Sequence, residues 1–256
     1  GFSGADLENL LNEAALLAAR RNRETLTQKD IEDAMDKILM GLERDSIVMT
    51  PEERRLVAYH EGGHAVVAAV LPNADPIHKV TIVPRGQAMG VTQQVPVREK
   101  YIYPREYMLN RLAIMMGGRA AEELVAGTIT SGAADDLKQA TTLVRRMILE
   151  WGMGETLGQM AMGNGRENAF LGYGAPQRPE YSEQTAREVD EEVKKILKQA
   201  YDCARGILGE HRDGLERVAA DLMEKEEVPG KEILALVGAK KAGAAVDGSV
   251  PQSAVP

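Results

Sequence analysis

The chain has 256 residues, enough for one large domain or two small ones, with ordinary globular proportions of 44% hydrophobic and 27% charged residues. A net charge of −8 argues against nucleic acid as the main partner, because phosphate neutralisation needs a basic face. The single cysteine, Cys203, excludes an intramolecular disulfide, and the longest apolar run, Ala65 to Leu71, falls well short of the roughly 20 residues that span a bilayer. The chain begins at Gly1, directly on a helix-start signal, and reads as a piece of a longer protein.

The first block predicts two helices. Ser3 with Asp6 three residues on is a capping-box pattern, and Leu7, Leu10, Leu11, Ala14, Leu17 and Ala18 follow at helical spacing. Thr27 with Asp30 repeats the signal, ahead of Ile31, Ala34, Met35 and Ile38. The first of these helices is apolar enough to need a packing partner. Gly41 to Met49 reads as a linker. Thr50, Pro51 and Glu53 then supply a cap, a first helical residue and a completed box for a third helix, which runs through Leu71 and stops before Pro72. Two strand-like pieces follow, His78 to Val83 and Met89 to Val95, joined by a turn at Pro84-Arg85-Gly86.

Pro104 opens a helix ending near Gly127, and another runs from about Ala133 to Trp151. Residues 152–180 are rich in glycine and read as loop. Ser182 starts a long charged helical region through Met223, in which Gly206, Gly209 and Gly214 predict a break. A short last helix begins near Pro229. The tail, rich in Ala, Gly, Val, Ser and Pro, reads as disordered.

The chemistry concentrates in the third helix. His60-Glu61-Gly62-Gly63-His64 is an H-E-x-x-H pattern. Residues at i and i+4 stack on one helix face, so both imidazoles can reach one zinc ion. Glu61 sits beside the metal, where its carboxylate can deprotonate a water that the metal activates. The two internal glycines cost roughly 1 kcal/mol each in a helix, a cost tolerated where another backbone or a substrate comes close. A zinc hydrolase needs a third protein ligand. His78 starts a strand and His211 lies in a charged, solvent-facing stretch, so the better candidates are the pair Glu122 and Glu123 and the pair Asp135 and Asp136, between which spacing alone does not decide.

Taken together, these segments resemble a known family. The histidine motif is followed by Val83-Pro84-Arg85-Gly86, Gly117-Gly118-Arg119-Ala120-Ala121-Glu122-Glu123, and Thr130-Ser131-Gly132-Ala133 with Asp135-Asp136-Leu137. In this order they resemble the FtsH family of membrane-anchored, ATP-dependent zinc metalloproteases. The leading Gly1-Phe2-Ser3-Gly4-Ala5-Asp6-Leu7 is similar to the start of the last ATPase helices in that family. The resemblance runs from residue 1 to about residue 235.

That resemblance implies a mainly α fold: an all-helical ATPase lid over residues 1–40, a linker over 41–49, a helical zinc metalloprotease domain with a small β-sheet over 50–235, and a disordered tail over 236–256. It implies His60, His64 and Asp136 as zinc ligands, because the family's aspartate is the one directly followed by Leu or Ile. The preceding family position is commonly Asn, where this chain has Asp135. Helix periodicity points the same way, since Asp136 lies four before Ala140 and eight before Val144, on the apolar stripe. The Gly117 to Glu123 segment becomes helix-packing structure, with Glu122 and Glu123 left to support the ligands from behind or to lie at the surface.

The resemblance also implies unfolded polypeptide substrates, a homo-hexamer, and a parent anchored at the cytoplasmic face of the bacterial inner membrane. The parent uses ATP. This chain lacks a G-x-x-x-x-G-K-[ST] loop and is expected not to bind it. Substrate backbone is expected to pair with a strand edge at Gly90, Val91 and Thr92.

Overall fold

Three helix starts are closed by the same reciprocal device. In a computed structural model that describes residues 2–44, 46–86, 88–97, 100–162 and 181–238, the side chains of Ser3, Thr27 and Thr50 accept from the backbone of Asp6, Asp30 and Glu53, whose carboxylates accept from the cap backbone in return. These boxes open α1 (Gly4–Arg20), α2 (Gln28–Met40) and α3 (Pro51–Val70).

The hairpin of α1 and α2 closes over a small core of Leu10, Ala14 and Ala34, with Leu17, Ile31, Met35 and Ile38 around it. Leu7, Leu11 and Leu16 stay exposed on the outer side of α1. The stretch after α2, predicted as linker, is held against the Pro84–Gly86 turn. Arg44 N donates to Pro84 O at 2.9 Å, and Gly86 N donates to Leu42 O at 3.1 Å.

The main core surrounds α3, whose residues Ala65 to Ala69 are all buried. Helix α4 (Arg105–Ala126) crosses α3 where Gly63 meets Gly117. A Cβ on Gly117 would lie 2.8 Å from Gly63 O, and one on Gly63 would overlap the Gly117 carbonyl, so the two backbones touch. That is the close approach that the glycines of the motif imply. Helix α5 (Ala134–Leu149) buries Ala140, Val144, Met147 and Ile148. Helices α6 (Glu183–Glu210) and α7 (Arg212–Lys225) pack against α4 and α3, and α8 (Gly230–Val237) packs against α7 and α3.

A three-stranded antiparallel sheet lies beside α3 in the order β2-β1-β3. Strand β1 (Ile77–Thr81) is central and β2 (Val91–Gln94) is an edge, with Val80 opposite Thr92 and a register shift between Ile77 and Lys79. Both are shorter than predicted. The third strand, β3 (Glu227–Pro229), has no counterpart among the predicted elements, because three residues between two helices carry no periodicity.

The long helical region does break in two as its glycines predict, between Gly209 and Gly214 but not at a glycine. Helix α6 continues through Gly206 and Gly209, both on its exposed face, while Ala204 and Leu208 are buried on the other. Packing of that stripe outweighs about 1 kcal/mol per glycine. The chain turns at His211 instead, and Gly214 lies inside α7, where a Cβ would stand 3.2 Å from Val237 Cα. The predicted loop over 152–180 lies outside the described residues from 163 on, and the predicted tail from 239 on.

Candidate metal centre and its cleft

His60 and His64 lie one turn apart in α3, with ring planes at 82° and Nε2 atoms 3.1 Å apart. Asp136, in the first turn of α5, brings Oδ2 to 3.2 Å from His60 Nε2 and 3.4 Å from His64 Nε2. The other ring nitrogens are held from behind. His60 Nδ1 is 2.8 Å from Glu122 Oε1, and His64 Nδ1 is 2.7 Å from the Ile114 carbonyl. A carboxylate and a carbonyl only accept, so each Nδ1 is the donor. In the neutral imidazoles both Nε2 lone pairs then face the same point as the Asp136 oxygen.

Three acceptor groups converging on one point repel each other unless a cation lies among them. Two imidazoles and a carboxylate are a zinc donor set, and their separations match the edge of about 3.3 Å of a tetrahedron with zinc–ligand bonds near 2.05 Å. The residues therefore fit the metal. Electrostatics agree. Burial pulls the His60 pKa down, but hydrogen bonds to Asp136 and Glu122 outweigh it and push it up to about 10. Burial pushes Asp136 up, but the two histidines outweigh it and hold it well below the usual carboxylate range. The point prefers positive charge.

The supporting residues come from α4 and the loop after it. Glu122 is buried, and its Oε2 accepts from Thr130 Oγ1 at 2.9 Å and Thr130 N at 3.3 Å, which aims Oε1 at His60. Gly118 presses on the histidines so closely that a Cβ there would lie 2.6 Å from both Nε2 atoms. On the other side, Glu61 is 6% exposed, and Thr92 Oγ1 lies 2.7 Å from its Oε2 and 3.0 Å from its backbone O. Burial raises the Glu61 pKa against the opposing pull of the two histidines and Thr92. A cleft of about 620 Å³ joins His60, Glu61, His64 and Asp136 to the segment Ala88 to Thr92, so β2 runs along its wall.

Among the described residues, His60, His64 and Asp136 form the one cluster able to hold a metal ion. Asp135 is exposed at the rim of the cleft and accepts from Gln139 Nε2 at 2.6 Å. Glu123 accepts from the Tyr201 hydroxyl. His78 is exposed on β1, and His211 lies between α6 and α7. Ile114, Gly118 and Thr130, which support the histidines, are not marked for that role by the sequence alone. The adjacent Gly117-Gly118 pair was a readable sign of close approach, whereas a backbone carbonyl such as that of Ile114 leaves none.

A model of peptidase family M41 matches residues 47–236, and a model of the AAA+ lid domain matches residues 1–33. The chain is 56% identical over 237 residues to ATP-dependent zinc metalloprotease FtsH 2 of Salinibacter ruber, covering 93% of this chain and 35% of that protein. It is 50% identical over 235 residues to ATP-dependent zinc metalloprotease FtsH of Caulobacter vibrioides, covering 91% and 38%. To the protein of that name from Thermotoga maritima it is 47% identical over 234 residues, again covering 91% and 38%. The chain thus spans roughly a third of the length of these relatives.

Proposed function

The chain belongs to peptidase family M41, and from that premise we propose that it is a zinc-dependent endopeptidase, the proteolytic part of an ATP-dependent, membrane-anchored protease acting on unfolded or membrane-extracted polypeptides. The observation that carries this reading is the convergence of His60 Nε2, His64 Nε2 and an Asp136 oxygen beside the buried carboxylate of Glu61.

His60, His64 and Asp136 would hold the zinc, and what the metal supplies there when bound is Lewis acidity toward water and the scissile carbonyl. Glu61 takes the proton from the attacking water and returns it to the departing amine nitrogen. Glu122 and the Ile114 carbonyl keep both imidazoles in the tautomer that leaves Nε2 free. Substrate pairs its backbone with the free edge of β2 at Gly90, Val91 and Thr92. Support for this comes from the position of β2 at the sheet edge, bordering the cleft.

We divide the chain into a lid over 1–40, a connector over 41–49, the protease over 50–235 and a tail over 236–256. The parent uses ATP, while this chain, without the phosphate-cradling loop, neither binds nor hydrolyses it. No helix among the described residues is long and apolar enough to cross a membrane. The parent's anchor would place the protease at the cytoplasmic face of the bacterial inner membrane as a homo-hexamer.

The test is cleavage of an unfolded protein by the purified chain, with a chelator, after zinc is restored, and with Glu61→Gln. Activity should vanish with the chelator and return with zinc. Glu61→Gln should bind zinc and fold normally yet lose about 10²- to 10⁴-fold in rate. Chelator-resistant cleavage, or an active Glu61→Gln, overturns the reading.

A further inference from the structure

The strand that borders the cleft carries a side chain whose only described hydrogen bonds are to Glu61. Thr92 Oγ1 reaches across 31 positions of sequence to Glu61 Oε2 at 2.7 Å and Glu61 O at 3.0 Å. Two positions earlier, Gly90 leaves room for the same carboxylate, since a Cβ there would stand 2.7 Å from Glu61 Cγ and 2.8 Å from Oε1. Among the described residues no hydrogen-bond donor is found for Oε1. One carboxylate oxygen is therefore tied, and the other lies beside Gly90, a residue that lines the cleft with Glu61.

We propose that Thr92 is the positioning residue of the catalytic carboxylate: its hydroxyl clamps Glu61 Oε2 so that Oε1 faces the attacking water. This rests on the reading of Glu61 as the base. The physical need is plain. A glutamate side chain has free rotations about its stem, and proton transfer requires the accepting oxygen to be held within hydrogen-bond reach of one place. A hydroxyl is suited to the task because it orients the carboxylate without adding a charge that would compete for its electrons. Because Thr92 lies on β2, the strand proposed to pair with substrate also carries the anchor of the base. A threonine there that merely packed the sheet against α3 would have no need to spend its hydroxyl on a carboxylate oxygen.

The experiment measures kcat and KM of Thr92→Val and Thr92→Ser on a short chromogenic peptide and on an unfolded protein, together with zinc content and thermal melting. Valine keeps the shape and removes the hydroxyl, and serine keeps the hydroxyl. We expect Thr92→Val to lose about tenfold to hundredfold in kcat, with KM within about twofold and zinc unchanged, the range for a hydrogen bond to a charged group. Thr92→Ser should stay within about threefold of the parent rate. Placed on Glu61→Gln, Thr92→Val should cause no further loss, because its effect passes through Glu61. Thr92→Ala makes the same comparison if the valine variant does not fold.

Wild-type kcat in the hydroxyl-free variants, equal losses in valine and serine, a loss carried by KM, or loss of zinc overturns the proposal. An active Glu61→Gln would instead remove the base reading beneath it, whereas an inactive Glu61→Gln beside a normal Thr92→Val removes only the role of Thr92.

Discussion

The α1–α2 hairpin and the helices around α3 solve different problems with different contacts. The hairpin is held by neighbours in sequence: two capping boxes, three buried apolar residues, and Arg21 bridging Asp30 at 2.7 Å and Asp33 at 2.6 Å. The region around α3 is held by contacts between distant segments, and it buries polar groups on purpose. Glu61, His64 and Glu122 are all less than 9% exposed, each with a partner from another element or from the loop after α4. The same contrast appears where the two regions meet: Lys79 of β1 pairs with the buried Asp36 of α2 and, at 3.1 Å, with Glu227 of β3. Local contacts set where helices begin, and long-range polar contacts set what the molecule can do.

The largest expected effect lies on the metal side of this contrast, where two neighbouring aspartates face opposite environments. Asp136 shares a point with both histidines, while Asp135 points to solvent and to Gln139. Asp136→Asn should lower zinc affinity by more than about 10²-fold, since even outer partners of a metal site are worth 10- to 100-fold. Asp135→Asn should change it by less than about twofold, in line with an exposed group. Competition with a chromophoric chelator measures both. Equal losses would show that the two carboxylates share the metal.

This contrast also explains what could be read from the chain. The capping boxes and the H-E-x-x-H motif are local, and the periodicity of α5 put Asp136 on its inner face without any knowledge of α3. Strand β3 escaped because it exists only through pairing with β1, more than 140 residues away in sequence. The bond from Thr92 to Glu61 escaped for the same reason: the sequence suggested β2 as an edge but not which side chain would reach the helix. The glycines were a coarse guide in one place and a close one in another. Gly206 and Gly209 lie exposed inside α6 and the break falls beyond them at His211, whereas Gly63 meets Gly117 in the close approach that the glycines of the motif imply.

That pair of glycines gives the next test. Gly63→Ala places a methyl group into the Gly117 carbonyl and should destabilise the chain by about 1–3 kcal/mol or more, as overpacking does. It should also reduce zinc affinity, because α3 carries the proposed ligands His60 and His64 and α4 carries Glu122 and Ile114, which hold their rings. Gly206→Ala has nothing within 4 Å and should stabilise by about 0.5–1 kcal/mol. Urea melts of both variants decide it. A Gly63→Ala chain as stable as the parent would mean that the two helices separate without cost.

The smallest effect should fall in the hairpin, through its second capping box. Thr27 accepts from the Asp30 backbone at 3.3 Å, and Asp30 accepts from Thr27 N at 3.0 Å and from the Thr27 hydroxyl at 2.6 Å. The Thr27 hydroxyl, opposed by desolvation and helped by Arg21, holds the Asp30 carboxyl well below the usual carboxylate range. Because the folded value is depressed, this stabilisation is fully present above the unfolded pKa near 3.9 and is lost as pH falls from there toward the folded value. Hydrogen exchange of the α2 amides should therefore quicken below about pH 4, once corrected for the intrinsic exchange rate, and that pH dependence should be weaker in Asp30→Asn. At neutral pH, Thr27→Ala should cost about 1 kcal/mol of local stability in α2. The amides of α3 should barely respond, since their protection comes from burial in the main core rather than from this cap. If Thr27→Ala loosens α3 as much as α2, the hairpin and the core unfold as one unit, and the division drawn between them fails.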